Sequence, residues 1–495
     1  MFQGTASDVG KSLIATGFCR IFSDLGYKTA PFKSQNMSNN SYVTMDGKEI
    51  GRAQGIQAEA ARTEATVYMN PILLKPRNDI HSEVVLFGKS FKTYSGQDYR
   101  TSFYEQGLKA IETSLSVLQS QYDLLVIEGA GSPVEVNLKD RDLVNMKVAE
   151  MADIPVILVT DIERGGVFAS IVGTLALLSP HERKRVKGII INKFRGDVAL
   201  FQSGIEWIET QTGVKVLGVL PYLHNHQIDG EDSLSIRGKA ADGLDIAVIR
   251  LPYISNYTDI EPFLFEDDVT IRWVEHREQF GHPDAVIIPG TRSTIHDLKV
   301  LKERRLDQAI VRYVKSGGTV VGICGGYQML SEKLYDPYGA DTGIRGYEEE
   351  GLGLLPVHTT FFVSKKTVRM KGTIHPKSGY PMSGIQGYEI HTGITKKVRD
   401  DHRCCPFFLY ENGRETDGWI QHDHSVIGTY IHHLFHNDEW RTIWLNHLRR
   451  KKGLPEKDPL YITAKKDEQY DRLADYIRTY IDVDAVVKLA TEKEG

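Results

Sequence analysis

The sequence predicts an α/β protein built from two doubly wound parallel-sheet domains, on three observations. Short continuous apolar runs of the kind found in strands buried on both faces recur along the chain: LLVIE at 124–128, PVILVT at 155–160, VKGIIIN at 186–192 and KVLGVLP at 215–221. Segments of helical periodicity separate them, and strands alternating with helices imply a parallel sheet covered on each side. The same alternation restarts after a polar, Gly- and Asp-rich stretch, with DIAVIRL at 245–251, VTIRWV at 269–274, AVIIPG at 285–290 and TVVGIC at 319–324. These boundaries give a first domain at 1–224, a linker at 225–243, a second domain at 244–440 and a helical, peripheral tail at 441–495.

The first element with chemical content is GTASDVGKS, Gly4 to Ser12. Two glycines flank a small polar turn, and Lys11 and Ser12 open an apolar helical run through Leu13, Ile14, Phe18, Ile21 and Phe22. That is the pattern of a phosphate cradle for a nucleoside triphosphate. Backbone N–H groups from Gly4 and Thr5 to Gly10 would surround the phosphates, Lys11 would reach the terminal ones, and the Ser12 hydroxyl would ligate magnesium. The spacing exceeds the generic Walker A pattern by one residue. Only Met1, Phe2 and Gln3 precede Gly4, so the strand feeding the loop is very short or the chain lacks upstream residues.

Glu128 ends its strand as Glu-Gly-Ala-Gly, which places a carboxylate at the carboxyl edge of the sheet as a second magnesium ligand. Asp46 offers a third, against the plain reading of a DG turn. Asn192 closes a buried strand, where its amide would pair with an adenine edge or cap a turn. In NLKDRD, Asp140 and Asp142 flank Arg141; Asp142 reads as a helix cap. Lys33, Lys75 and Arg77 sit in polar runs suited to substrate carboxylates.

In the second domain, Gly322-Ile323-Cys324-Gly325-Gly326 runs from a β-branched strand into a helix starting at YQMLSEKL. A sharp strand-to-helix turn tolerates its crowding only with glycine neighbours, and it exposes its central side chain, so Cys324 is a nucleophile. His432, at the end of a strand-like run, is the expected base, with His433 as competitor. The N–H groups of Gly290 and Gly325 would form an oxyanion hole.

Composition bounds the partners. A chain of 495 residues with a formal charge of −5 carries no electrostatic footprint for nucleic acid, and small molecules are the expected partners. Charged and polar residues interrupt every apolar run before it could span a membrane. Four cysteines without metal-type pairs fit a reducing cytoplasm. A homo-oligomer stays open.

Taken together, GTASDVGKS, KSQNM, GRAQ, EGAGSP, DIERGGVFAS, INKFRGD, GICGGYQML, GYEIHTG and GTYIHHLF resemble the CobQ/CbiP family of cobyric acid synthases, from Met1 to about Phe435. The resemblance implies a dethiobiotin-synthetase-like ATP domain fused to a class I glutamine amidotransferase domain of the CobB/CobQ type. Its implied cofactors are ATP and Mg2+, and its implied substrates are glutamine and a corrinoid a,c-diamide amidated at four carboxylates. By motif, the nucleophile falls on Cys324, the histidine on His432 and the acceptor-side aspartate on Asp140. Most class I amidotransferases carry a glutamate two residues after the histidine, where this chain has Leu434. The His432 tautomer is therefore expected to be set otherwise, for instance by a backbone carbonyl. Tyr388, Glu389 and His391 match a family segment of unassigned role. The alternatives are the sibling a,c-diamide synthesis and a P-loop switch or scaffold with a dead amidotransferase half. Against a ParA-like switch, residues 4–9 lack that group's signature lysine.

Overall fold

A computed structural model describes residues 1–76, 80–163, 165–223, 238, 240–399 and 401–492. Most of the predicted linker, and Arg77, lie outside the described residues. The chain forms two compact units: Met1–Ser38, Lys48–Glu231 and Lys466–Gly495 make the first, and Asn39–Gly47 with Asp232–Lys465 make the second.

The first unit is organised by six parallel strands: β1 (Phe2–Gly4), β2 (Thr29–Phe32), β3 (Leu124–Ile127), β4 (Val156–Asp161), β5 (Val186–Phe194) and β6 (Val216–Pro221). β1, β4, β5 and β6 pair in that order, β2 pairs with β3, and a parallel bridge between Phe2 and Glu128 joins the two sets. The spatial order is thus β2-β3-β1-β4-β5-β6. β1 is only three residues long yet fully buried and in register, Phe2 facing Ile157 and Gly4 facing Val159. Being central, it hands its carboxyl end directly to the phosphate loop, after which α1 (Lys11–Asp24) packs Ile14, Phe18 and Phe22 into the core.

The segment expected to be a peripheral tail is instead core. From Lys466 onward it belongs to the first unit, and Tyr470, Leu473, Ala474, Ile477 and Ile481 share one apolar cluster with Phe2, Ile14 and Phe18. Arg20, fully buried on α1, donates to Asp467 at 2.7 Å and Asp471 at 2.8 Å on that returning helix, which spans Ile462–Tyr480. Asp482 N–H then bonds the Leu217 carbonyl on edge strand β6 at 2.8 Å. The charged run LRRKKGLPEKD before the returning helix lies in the second unit, where Arg449 pairs with Asp268 at 2.8 Å, whereas Asp467 and Asp471 on that helix neutralise an arginine that α1 buries.

In the second unit, β7 (Leu244–Ile249), β8 (Val269–Val274), β9 (Ala285–Ile288) and β10 (Thr319–Ile323) form a parallel sheet in the order β8-β7-β9-β10, and every residue of β9 and β10 is buried. Val426–Thr429 continues it in parallel beyond β10, and the antiparallel strands Thr416–Gln421, Cys404–Tyr410 and Val357–Ile374 extend it further. Gly384–Lys397 pairs antiparallel with Val357–Ile374. The parallel core is the one predicted; the antiparallel extension is additional. It also shortens the helix expected after Cys324, which spans only Gly325–Met329 before Lys333–Asp336 joins the ladder.

Candidate active site

In the phosphate loop, Gly10 has φ +96°, and a Cβ there would lie 2.1 Å from Asn192 Nδ2, so only glycine allows the close approach. Asn192 in turn donates to the Val9 carbonyl at 2.8 Å. Its amide nitrogen thus braces the loop from β5. Thr5 is anchored by its N–H to the Val159 carbonyl and by its hydroxyl to Thr160, at 2.9 and 3.1 Å. The Lys11 ammonium is folded back over the loop, on the Ala6 carbonyl at 3.0 Å and the Gly131 carbonyl at 3.2 Å. A phosphate chain would replace such carbonyl partners.

Glu128 collects three donors on a fully buried carboxylate: Ser12 Oγ at 2.8 Å and Lys33 Nζ at 2.9 Å on Oε1, and Gln57 Nε2 at 2.6 Å on Oε2. Ser12, in the first turn of α1, and Glu128, just beyond β3, stand 2.8 Å apart, and this all-oxygen pair fits a hard cation such as magnesium. Asp46, the third expected ligand, lies in the segment 39–47 of the other unit and accepts from the Thr44 hydroxyl. Asp142 caps as expected, taking the N–H groups of Val144, Asn145 and Lys147 at 2.8–2.9 Å. Asp140 is exposed, pairs with Arg100 at 2.9 Å, and lines an open depression of about 240 Å³ with Lys139, Lys147, His181 and Arg185. Lys75 is buried in an ion pair with Glu49.

The second unit assembles its chemistry at the carboxyl end of β10. Cys324 sits at φ 51°, ψ −106°, a strained conformation for a residue with a side chain, and its thiol faces the Ile390 carbonyl at 3.6 Å. A Cβ on Gly326 would lie 1.9 Å from the Ile288 carbonyl, so the turn closes only on glycine. A Cβ on Gly325 would be 3.0 Å from the Thr291 nitrogen, and one on Gly290 3.0 Å from His432 Cε1. The backbone at 290–291 therefore lies against both Gly325, next to Cys324, and His432.

His432 is fully buried, and its Nδ1 contacts a carboxylate the sequence reading did not find. Asp259 Oδ2 lies 2.7 Å away, itself fully buried, while Asp259 Oδ1 accepts the His433 N–H at 2.8 Å. The expectation that a backbone carbonyl would orient the ring is corrected: Asp259 takes the place left by Leu434. It comes from a 3₁₀ segment, Tyr257–Leu264, that lies 173 positions before the histidine. A signal was present, an aspartate just beyond the first strand of the domain in ISNYTDI, but no spacing rule ties that position to His432. Burial disfavours the charged ring, yet Asp259 and Cys324 together outweigh it and raise the His432 pKa from 6.5 to about 10. His433, the competitor, donates its backbone N–H to Asp259.

The GYEIHTG segment lines the same region. Tyr388 exchanges backbone hydrogen bonds with His432 and stacks on its ring at 5.1 Å. His391 stacks on Tyr430 at 3.7 Å and reaches Glu389 at 3.0 Å. Glu389 is buried, which alone would raise its pKa, but His391, Lys366 and Tyr410 bring it down to about 2. Neighbouring Asp417 is pushed up to about 7 by burial and by Glu389, while gripping Thr429 Oγ1 and the Tyr430 N–H just before His432.

Among the described residues, no helix is long and apolar enough to cross a membrane. Residues 1–234 match the CobQ/CobB/MinD/ParA nucleotide binding domain, and 245–440 match the CobB/CobQ-like glutamine amidotransferase domain. Over 499 residues the chain is 51% identical to a cobyric acid synthase of Geobacillus kaustophilus (strain HTA426), covering 99% of this chain and 97% of the relative. A cobyric acid synthase of Synechocystis sp. (strain ATCC 27184 / PCC 6803 / Kazusa) is 43% identical over 100% of this chain and 98% of its own length. With both domains matched and whole-length relatives at this identity, the chain belongs to the cobyric acid synthase family.

Proposed function

We propose that this enzyme amidates the b, d, e and g side-chain carboxylates of a cobyrinic acid a,c-diamide, in free or adenosylated form, using ATP and ammonia drawn from glutamine. The observation that carries the reading is the presence in one chain of a Cys324–His432–Asp259 triad and a phosphate loop whose Ser12 meets a buried Glu128. Glutamine and the corrinoid are the small-molecule substrates, in the cytoplasm.

In the second unit, Cys324 Sγ attacks the glutamine side-chain amide, forming a C–S bond as the tetrahedral oxygen accepts the N–H groups of Gly290 and Gly325. His432 passes a proton to the leaving nitrogen, ammonia departs, and water assisted by the same ring resolves the thioester to glutamate. Asp259 holds Nδ1, so that Nε2 faces the reacting atoms.

In the first unit, a carboxylate cannot expel oxide, so phosphoryl transfer to one carboxylate oxygen supplies a better leaving group. Lys11 and the loop N–H groups stabilise the transferred charge. Magnesium held by Ser12 and Glu128 would supply further positive charge at the phosphates. Ammonia then displaces phosphate, leaving the amide. Asn192 would face the base from its position behind the loop, with Asp140 and Lys33 on the acceptor side.

A scaffold with a dead amidotransferase half rested on the missing acid at Leu434, and Asp259 removes that ground. The test is a mass-resolved assay with ATP, magnesium, glutamine and adenosyl-cobyrinic acid a,c-diamide. Four successive amidations are expected; a stall at two amides on cobyrinic acid itself would favour the sibling reaction.

A further inference from the structure

The first unit carries a four-stranded sheet separate from its six parallel strands. Gln35–Met37, Ile72–Pro76, His81–Leu86 and Lys89–Ser95 pair in that order. The edge strand Lys89–Ser95 is exposed through Thr93, and it is irregular: Val85 and Val84 face Ser90 and Lys92, so Phe91 is an extra residue bulged out of the ladder. Shortly after it, Tyr99–Phe103 forms a single π-helical turn, a rare conformation. These two irregularities bring four rings together. Phe91 and Tyr94 each lie 6.1 Å from Phe103, and Tyr99 stacks on Phe103 at 4.9 Å. Phe103 is fully buried, whereas Phe91 is 46% exposed and Tyr94 and Tyr99 are half-buried.

The ring cluster is tied to the phosphate site on one side and to the loop of Asp140 on the other. The Tyr99 hydroxyl donates to Gln35 Oε1 at 2.5 Å, and Gln35 is two residues along from Lys33, whose ammonium lies 2.9 Å from Glu128. In the other direction, Arg100 in the π-turn donates to the Asn137 carbonyl at 2.8 Å and to Asp140 at 2.9 Å. Arg141 donates back to the Arg100 and Thr101 carbonyls at 2.9 and 3.4 Å. Lys89 and Lys92 stand on the exposed strand, the Lys92 ammonium 5.0 Å from the centre of the Tyr94 ring. Exposed Met37 ends the strand that carries Gln35.

We infer that the rings of Phe91, Tyr94 and Tyr99 form a platform on which the macrocycle of the corrinoid acceptor docks. The inference rests on the functional reading above and locates its acceptor. Three features select this occupant. A half-open aromatic face suits a broad ring system, which glutamine and a phosphate chain lack. Lysines on the same strand complement a molecule that carries carboxylates around its edge. The contacts through Gln35 make the platform continuous with Lys33 and Glu128, so a ring seated there keeps its peripheral acids in the neighbourhood of the phosphate site. Recognition through the ring also suits an acceptor whose acids turn into amides, because the macrocycle is the part that stays constant.

The test is titration calorimetry of the full chain with adenosyl-cobyrinic acid a,c-diamide. Phe91→Ser and Tyr94→Leu should each weaken binding by about tenfold or more. ATP affinity in the same samples should stay within about twofold, which separates loss of the platform from loss of the fold. Phe91→Tyr, which keeps a ring, should bind the acceptor as the parent does. In the parent enzyme, where no variant has to fold, a corrinoid with every side chain amidated should compete with the acceptor, and an open-chain tetracarboxylate should not. Unchanged affinity in both Phe91→Ser and Tyr94→Leu, or competition by the tetracarboxylate alone, overturns the platform and leaves the functional reading intact. Variants that dissociate a homo-oligomer yet keep their corrinoid affinity overturn it too, and give the patch to a second copy of the chain. A parent enzyme that neither binds nor amidates the corrinoid overturns that reading and the platform with it.

Discussion

The two reaction centres differ in how completely the resting protein assembles them. In the second unit, Cys324, His432 and Asp259, the proposed nucleophile, base and orienting acid, come from three separate segments and are buried, Asp259 already 2.7 Å from His432. In the first unit the charged groups are held by protein partners: Lys11 rests on two carbonyls, and Glu128 is covered by Ser12, Lys33 and Gln57. On the proposed reaction, the difference follows from the substrates. A neutral amide brings no charge, so the protein must supply a standing nucleophile with its proton acceptor. A phosphate chain and its cation bring several charges, and buried groups meant for them would be costly to leave unpaired in their absence.

The sharpest way to break this contrast is Cys324→Ala. Glutamine-dependent amidation should fall by roughly 10³-fold or more, whereas amidation from ammonium salts should persist, as followed by mass-resolved product analysis. Asp259→Asn tests the pre-assembled side more finely. Glutaminase kcat should drop by roughly 10²- to 10⁴-fold. The charged ring, held to about pH 10 in the unmodified enzyme, should discharge at a lower pH. The alkaline limb of the kcat profile then moves down towards the ordinary imidazole value of 6.5. An unmoved limb would mean that Asp259 does not tune His432. The sign is the same for stability: a raised histidine pKa stabilises the fold most below 6.5 and ceases to do so as pH rises through about 10.

On the other side, Lys11→Ala should reduce ammonium-dependent amidation by roughly 10²- to 10³-fold while leaving unstimulated glutaminase turnover within about twofold, which a paired assay would read directly. The smallest expected effect concerns stability alone. Leu473→Ala empties a buried position in the first unit and should cost it about 2–4 kcal/mol, lowering the melting transition assigned to that unit and leaving the second unit's unchanged. A single joint transition shifted as a whole would show that the two units do not melt independently.

What the sequence revealed follows the range of its signals. Buried parallel strands are continuous apolar runs, so β3 to β10 could be located to within one or two residues. Cys324 and Lys11 were legible because their turns demand local glycines. Asp259 was not, since its partner lies at a sequence distance no periodicity encodes. The helical character of the tail was legible, but it was misplaced at the periphery, because the charged run LRRKKGLPEKD before it looks solvated and nothing local shows that Asp467 and Asp471 pair with a buried Arg20. Asp46 was equally out of reach of local reading: the chain joins the second unit at Asn39 and returns to the first only at Lys48, and no sequence signal marks the excursion.

The return of residues 466–492 to the core around Phe2 and Phe18 also bears on how the protein comes into being. A ribosome delivers the chain from its amino end at about 5–20 residues per second, and domains ordinarily fold in the order in which they emerge. Here the phosphate-loop unit begins first and finishes last, because Arg20 lacks its two shortest ion pairs until Asp467 and Asp471 have been made. The glutaminase unit, complete by Lys465, can fold in that interval, so the nascent enzyme acquires its amide-hydrolysing half before its energy-consuming half is able to close.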